Sequence, residues 1–181
     1  MLKKLIIVVS LIAIGIASYG IARAYFSSKT PATSTATFQA GTIDINIAQH
    51  DGYNAVPFSM TNWMPGQKQE VVFDVVNSST VPVTLSGVVN GTWGTLGDHF
   101  MKVTRAEYWD GSGWTALAAD EHGTFTYADL ASPTVLKEVP ANGGVVTMMM
   151  EATFDKDAGN EYQGETYTAE IQVTATQVIT P

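Results

Sequence analysis

The chain has 181 residues, of which 17 are acidic and 9 are lysine or arginine, so its formal net charge is −8. A protein that binds nucleic-acid phosphates needs clustered basic residues. The basic residues are too few and too scattered for that, which excludes nucleic acid as a partner. The sequence contains no cysteine, so neither a disulfide nor a catalytic thiol is available.

The first 24 residues have the three parts of a cleavable export signal. A positive start is followed by an uncharged apolar run over residues 5–17 and by the small-x-small sequence Ala22-Arg23-Ala24. We predict a signal peptide over 1–24, cleaved by a signal peptidase between Ala24 and Tyr25. Cleavage removes three basic residues, so the mature chain has 6 basic and 17 acidic residues and a formal charge of −11. The alternative is a retained membrane anchor, because the run approaches the ~18 apolar residues of a membrane helix.

Residues 25–37 form a separate segment ahead of the domain. After an aromatic pair, the segment is a tract of serine, threonine, alanine and proline without a large apolar residue. Its composition is typical of a flexible tether. We place one folded domain at residues 38–181, within the length of a single domain.

Alternation of apolar and polar residues predicts strands through most of this domain. The predicted strands are Phe38–Ile47, Gln69–Val76, Val81–Val89, Met101–Trp109, Gly113–Leu117, Val145–Phe154 and Thr166–Val178. Asn90-Gly91 is expected to end the third strand, and Asp110-Gly111-Ser112 predicts a hairpin turn. Residues 118–138 are expected to be irregular or weakly helical. The pattern predicts an all-β fold, an antiparallel β-sandwich of jelly-roll or immunoglobulin-like type with one short irregular or helical insertion.

Several short motifs occur in a fixed order along the chain. Tyr25-Phe26 follows the cleavage site and precedes a strand that begins Phe38-x-Ala40-Gly41-Thr42-x-Asp44. Asn62-x-x-Pro65-Gly66 precedes a strand that ends at Asn77, and Tyr162-Gln163-Gly164 precedes a last strand that ends at Gln177. In order and spacing these motifs resemble the TasA and camelysin family of secreted surface proteins, which includes related archaeal bundling-pilus subunits. Residues 91–140 do not take part in the resemblance.

The resemblance implies a jelly-roll sandwich that forms fibres of a biofilm matrix or cell surface. Related archaeal pilus subunits polymerise by donor-strand exchange, in which the N-terminal segment completes a sheet of the neighbouring copy. Here the resemblance places the donor strand at Tyr25, Phe26, Ser27, Ser28, Lys29, Thr30, Thr33, Thr35 and Thr37. The expected partners are other copies, head to tail, and a minor anchoring or nucleating matrix protein.

Elementary chemistry makes such a strand exchange reasonable. Strand addition depends on main-chain hydrogen bonds, so a serine- and threonine-rich segment can take part. A head-to-tail contact does not close on itself and so generates a fibre. Pro31 lacks an N–H group, so pairing should break or face away there. Ser27 stands where the family has Asp or Asn.

Camelysin-like relatives are described as metallopeptidases, so an enzymatic function is an alternative. The chain has three histidines, His50, His99 and His122, and it lacks the His-Glu-x-x-His motif of zinc peptidases. No Gly-x-Ser-x-Gly elbow occurs either. We predict that the protein has no catalytic activity and binds no metal or cofactor. A metal site formed by the three histidines, brought together by the fold, stays open as an alternative.

Three further motifs have a structural and a functional interpretation. The loop 155–160 is either a polar turn or an incomplete calcium loop. Asn77 and Asn90 each begin an N-glycosylation sequence, which otherwise forms a plain turn. Four tryptophans either belong to the core or form a glycan-binding face of an adhesin: Trp63, Trp93, Trp109 and Trp114.

Overall fold

The structure is a computed structural model that describes residues 27–31, 36–37, 43–53, 58–94, 96–97 and 100–178, with the backbone alone for the first two ranges and for Phe58. Within these ranges the chain forms eleven strands and one short 3-10 helix, Asn160–Tyr162. The strands are β1 Ser27–Pro31, β2 Ala36–Thr37, β3 Asp44–Gln49, β4 Phe58–Thr61, β5 Lys68–Asn77, β6 Val83–Trp93, β7 Met101–Trp109, β8 Trp114–Ala119, β9 Phe125–Asp129, β10 Gly144–Phe154 and β11 Thr166–Gln177.

The strands pair in the order of a jelly roll, and every pair is antiparallel. One sheet has the order β4-β11-β6-β9, and the other has the order β5-β10-β7-β8. We call them the β11 sheet and the β10 sheet. Strand β8 also pairs with β9 across an irregularity at Leu117/Ala118, which joins the two sheets along one side. This interleaved eight-strand order is that of two Greek keys, so the predicted jelly-roll sandwich is confirmed.

The core lies between the two sheets, and β11 contributes to it by strict alternation. Along β11, the residues from Tyr167 to Ala175 at every second position are buried, and the residues between them face outward. An aromatic cluster fills the end of the sandwich where β11 begins. Trp93 lies at its centre, with its ring centroid 4.6 Å from Phe154, 5.2 Å from Tyr162 and 5.2 Å from Tyr167.

Three details differ from the sequence predictions. Strand β6 does not end at Asn90-Gly91 but continues to Trp93, because Gly91 lacks the side chain that would collide with the Tyr167 ring. The region 118–138 is not helical, since it contains the end of β8 and all of β9. Strand β4 was not predicted.

The predicted signal peptide, with Ala22 and Ala24 at its cleavage site, lies outside the described residues, as do Tyr25 and Phe26. In the part of the chain that the structure describes, no helix has the length and apolar character needed to cross a bilayer.

Candidate strand-exchange site

The N-terminal strand β1 lies against the last strand of its own domain. Ser27 is opposite Thr176 and Pro31 is opposite Gln172, in one unbroken antiparallel register. Strand β1 includes Pro31, and the residues 32–35 that follow it lie outside the described residues. Four of the predicted donor-strand positions lie in β1: Ser27, Ser28, Lys29 and Thr30.

Strand β1 shares one edge of β11 with β4. Strand β4 pairs with residues 166–169 and β1 with residues 172–176, while the opposite edge of β11 pairs with β6 over eleven residues. The stretch 172–176 of β11 is therefore flanked on both sides only while β1 is in place. Without β1 it would present an open edge, which can accept another extended strand.

Strand β2 continues the same segment onto the other sheet. Ala36 and Thr37 pair with Ile45 and Asp44 of β3, which in turn pairs with β5 at the edge of the β10 sheet. Strand β1 thus lies on an edge of the β11 sheet and β2 beside the β10 sheet, and β1 also contacts β3. Thr37 lies in β2, whereas Thr33 and Thr35 lie outside the described residues.

The strand that β1 covers is central to the core. Val173 and Ala175 lie within the stretch that β1 flanks, and both are fully buried. Strand β1 therefore protects the main chain of a core strand. Because that protection depends on backbone groups, the edge can accept any extended segment of suitable length.

The first family motif lies at the start of β3. Asp44 is the first residue of β3, and its carboxylate atom Oδ1 is buried without a hydrogen-bond partner among the described residues. Phe38, Ala40, Gly41 and Thr42 lie outside them. The motif therefore adjoins β2, the end of the exchangeable segment, although the structure assigns no ligand to it.

The motif Asn62-x-x-Pro65-Gly66 forms the turn between β4 and β5. The N–H of Gln67 donates to the Met64 carbonyl at 3.0 Å, and Gly66 at the corner has a φ of 86°. Asn62 also has a positive φ, 57°. The N–H of Gly66 donates to the Phe154 carbonyl at 2.8 Å, which ties the turn to β10. These contacts make the motif a hydrogen-bonded turn.

Asn77 joins two loops at the end of the sandwich where β1 begins. Its side chain is fully buried, and Nδ2 lies within 3.0–3.1 Å of the carbonyls of Val81, Val139 and Pro140. Its Oδ1 accepts the N–H of Ser79 at 3.1 Å. An amide so enclosed cannot carry a glycan in the folded domain. The sequence did not predict this structural role, because Asn-Ser-Ser is typical of any polar turn.

The motif Tyr162-Gln163-Gly164 closes the aromatic end of the core. Tyr162 is buried against Trp93 and Phe154. The N–H of Gln163 donates to the Asn160 carbonyl at 3.1 Å, and Gly164 turns the chain with a φ of 84°. Gln177 ends β11 opposite the first residue of β6. These residues anchor β11 at its two ends.

The two described histidines, His50 and His122, have different surroundings. His50 Nδ1 lies 3.0 Å from the Asp74 carboxylate, which also accepts the Thr147 hydroxyl at 2.6 Å. His122 lines a cleft of about 460 Å³ between β6 and β7, beside a Lys102–Glu121 ion pair of 3.3 Å. His99 lies outside the described residues. Within the described residues no group of three or more His, Asp or Glu side chains is placed to hold a metal.

The loop 155–160 is arranged as a polar turn. Asp155 Oδ1 accepts the N–H of Asp157 at 2.9 Å, and the Asp157 carboxylate accepts the Lys156 ammonium at 2.8 Å. Both carboxylates are therefore engaged by groups of the loop itself. This geometry favours the turn interpretation over a calcium loop.

The four tryptophans divide into a buried and an exposed pair. Trp63 and Trp93 are buried in the core, while Trp109 and Trp114 face each other across the β7–β8 hairpin and are about two-fifths exposed. The exposed rings are 5.6 Å apart with an interplanar angle of 74°. They are therefore not the coplanar platform that would favour glycan binding.

Comparison with known proteins assigns neither a family nor an activity. No protein-family model and no curated protein matches the chain. Among solved structures, one similar chain is described as "Structure of infectious bursal disease virus Gx strain". That match has 11% sequence identity and a TM-score of 0.29, and it covers 85% of this chain and 32% of the viral one. At these values the likeness carries no functional argument.

Proposed function

We propose that the chain is an exported structural subunit that polymerises into an extracellular or biofilm-matrix fibre by exchanging its N-terminal strand between copies. The observation that supports this most is the pairing of β1 with residues 172–176 of β11. The described first part of the segment that the family resemblance implies as donor, residues 27–31, thus lies on a strand edge that can bind it.

The exchange requires no new type of contact. When β1 leaves its own domain, β1 of another copy can pair with residues 172–176 in the same register. Strand β2 can move with it, since it pairs with β3 through only two residues. Each copy then donates one segment and accepts one, which is a head-to-tail contact that grows without closing.

The loss of the contact within one chain is offset by the equivalent contact between chains. The backbone pairs gained and lost are the same, so protein concentration and charge repulsion decide the balance between monomers and fibres. Like-charge repulsion opposes assembly, because each mature copy has a formal charge of −11. The proposal therefore predicts that salt favours fibres over monomers.

The first experiment compares the chain that begins at Tyr25 with one that begins at Thr37. Both are purified and imaged by negative-stain electron microscopy after protein concentration and salt are raised. We expect fibres from the first chain and none from the second. Fibres of equal length from both chains would contradict the proposal.

Proline substitutions test the main-chain pairing itself. Neighbouring residues of a strand direct their N–H groups to opposite sides, so either Lys29 or Thr30 must direct its N–H group towards β11. We expect at least one of Lys29→Pro and Thr30→Pro to abolish fibres while circular dichroism shows a folded domain. The matched controls Lys29→Ala and Thr30→Ala keep the N–H groups and should assemble. Normal assembly by both proline variants would refute strand exchange.

A further inference from the structure

We propose that Asn90 is an N-glycosylation site, and that its glycan covers an outer face of the sandwich whose strands contain few charged residues. This inference rests on the export that the proposed function includes, because N-linked transfer acts on exported chains. It does not depend on strand exchange.

The acceptor sequence Asn90-Gly91-Thr92 lies in β6 with both reactive side chains on one face. Residues two apart in a strand point the same way, and Asn90 and Thr92 are both exposed. Neither side chain has a hydrogen-bond partner among the described residues. A transferase can therefore reach the Asn90 amide and read the Thr92 hydroxyl. Gly91 points inward against Tyr167, where no side chain would fit.

The second acceptor sequence of the chain shows the opposite geometry. Asn77 and Ser79 are 0% and 2% exposed. They are hydrogen-bonded to each other, and Asn77 also binds surrounding carbonyls. A glycan at Asn77 would displace these contacts and prevent the two loops from packing. The structure thus discriminates between two sequences that are equivalent as motifs.

The outer face around Asn90 is unusual in an acidic protein. Strands β4, β11, β6 and β9 contain two charged residues in total, Asp129 and Glu170, of which Glu170 pairs opposite Asn90. Outward positions of β6 and β11 are occupied mainly by hydroxyl and amide side chains. Strands β5, β7 and β10 of the other sheet contain seven charged residues: Lys68, Glu70, Asp74, Lys102, Arg105, Glu107 and Glu151.

The difference in charge between the two sheets indicates what a glycan at Asn90 would do. The charge of −11 keeps copies apart wherever charged faces approach each other. This repulsion between copies is weakest at the face of β6 and β11, where two copies could pack side by side. Strands β4, β11, β6 and β9 have 4, 12, 11 and 5 residues, 32 in all, so at about 4.8 Å between strands and about 3.4 Å rise per residue this face measures roughly 500 Å², which two copies together could bring to the ~1,000 Å² of a small specific interface. A hydrated glycan at its centre would prevent that contact.

The modification is a transfer from a lipid-phosphate-linked oligosaccharide. The Asn90 Nδ2 forms a bond to the anomeric carbon of the first sugar. The bond between that carbon and the phosphate oxygen breaks, and its electron pair leaves with the lipid phosphate. One proton of the amide passes to a basic group of the transferase.

The test is mass spectrometry of the chain recovered from the surface or medium of the cells that produce it. Both acceptor sequences lie in one tryptic peptide, 69–102, so electron-transfer fragmentation is needed to locate the sugar. We expect a hexose-containing mass on Asn90 and none on Asn77. An unmodified Asn90, or a glycan on Asn77, would overturn the proposal.

Two variants show whether the added mass depends on the acceptor sequence. Thr92→Val leaves Asn90 in place and should lose the glycan completely. Thr168→Val is the matched control, because Thr168 lies opposite Thr92 on the same face but outside the sequence, and it should keep the glycan. Sugar retained in Thr92→Val would contradict N-linked transfer.

Electron microscopy of the same samples separates this inference from the proposed function. Chains with a glycan at Asn90 that form no fibres would refute polymerisation and leave the glycan site intact. Fibres built from unmodified chains would refute the glycan site alone.

Discussion

Replacement of Asn77 by alanine should destabilise the domain by about 2 kcal/mol. The side chain bonds the Val81, Val139 and Pro140 carbonyls and the Ser79 N–H group, and all of these bonds would be lost. The cost depends on which groups find another partner, because an unsatisfied buried group costs about 1 to 3 kcal/mol.

The structure shows which groups keep a partner. The Val81 carbonyl still accepts the Ser79 hydroxyl at 3.0 Å, and the Val139 carbonyl still accepts the Val83 N–H at 3.1 Å. Pro140 is exposed, so water can replace the amide at its carbonyl. The Ser79 N–H is the group left buried and unsatisfied. One full penalty and a smaller loss at Pro140 together give about 2 kcal/mol.

The assay is urea unfolding followed by tryptophan fluorescence. With a slope of about 2 kcal/mol per molar urea, the Asn77→Ala midpoint should fall by about 1 M. Asn46→Ala is the matched control, since Asn46 is exposed on β3, and its midpoint should stay within about 0.3 M of the wild-type value. An Asn77→Ala midpoint as close to wild type as that of the control would refute the role given to Asn77.

Three further predictions concern packing, pH and salt. Gly87→Ala should lower stability by about 1 to 3 kcal/mol in the same assay, because its Cβ would collide with the Phe125 ring, whereas Gly113→Ala, with open space around it, should be nearly neutral. Hydrogen bonds from Lys68 and Thr104 lower the pKa of Glu151 despite its burial. The stability from this lowered pKa is present above the ordinary value of 4.5 and is lost as the pH falls through the folded value; Glu151→Gln should therefore lose less stability on acidification, and an equal loss would contradict this. Raising salt to ~0.15 M, where the Debye length is about 8 Å, should speed fibre growth measured by light scattering; slower growth would contradict the charge argument.

The long strands could be predicted from the sequence because their side chains alternate. In β11 the buried positions recur every second residue, so pattern and structure agree. Strand β10 differs, because residues 148–152 are all buried and its apolar run, not alternation, carries the signal. Strand β4 was missed because Phe58–Thr61 has only four residues. Strand β9 was missed because its five residues mix apolar and polar side chains without clear alternation. Short strands owe their existence to partners that are distant in sequence.

The partner of β1 could not be predicted from its own residues. A run of serine, threonine, lysine and proline has no apolar face, and its pairing with β11 uses main-chain groups that every sequence has. The sequence also could not predict which of the two glycosylation sequences is accessible, because Asn77 and Asn90 have the same motif and differ only in burial. Both distinctions depend on tertiary contacts, which local patterns do not encode.

A disulfide between copies tests strand exchange most directly. The chain has no native cysteine, and positions 29 and 174 lie opposite each other in the β1–β11 register, within the Cα separation that a disulfide allows. Copies with Lys29→Cys alone are mixed with copies with Thr174→Cys alone, assembled, oxidised and run on a non-reducing gel. Strand exchange predicts a covalent dimer of the two variants, and none when Thr84→Cys on β6 replaces Thr174→Cys. Fibres that form from the first mixture without this dimer would contradict the account.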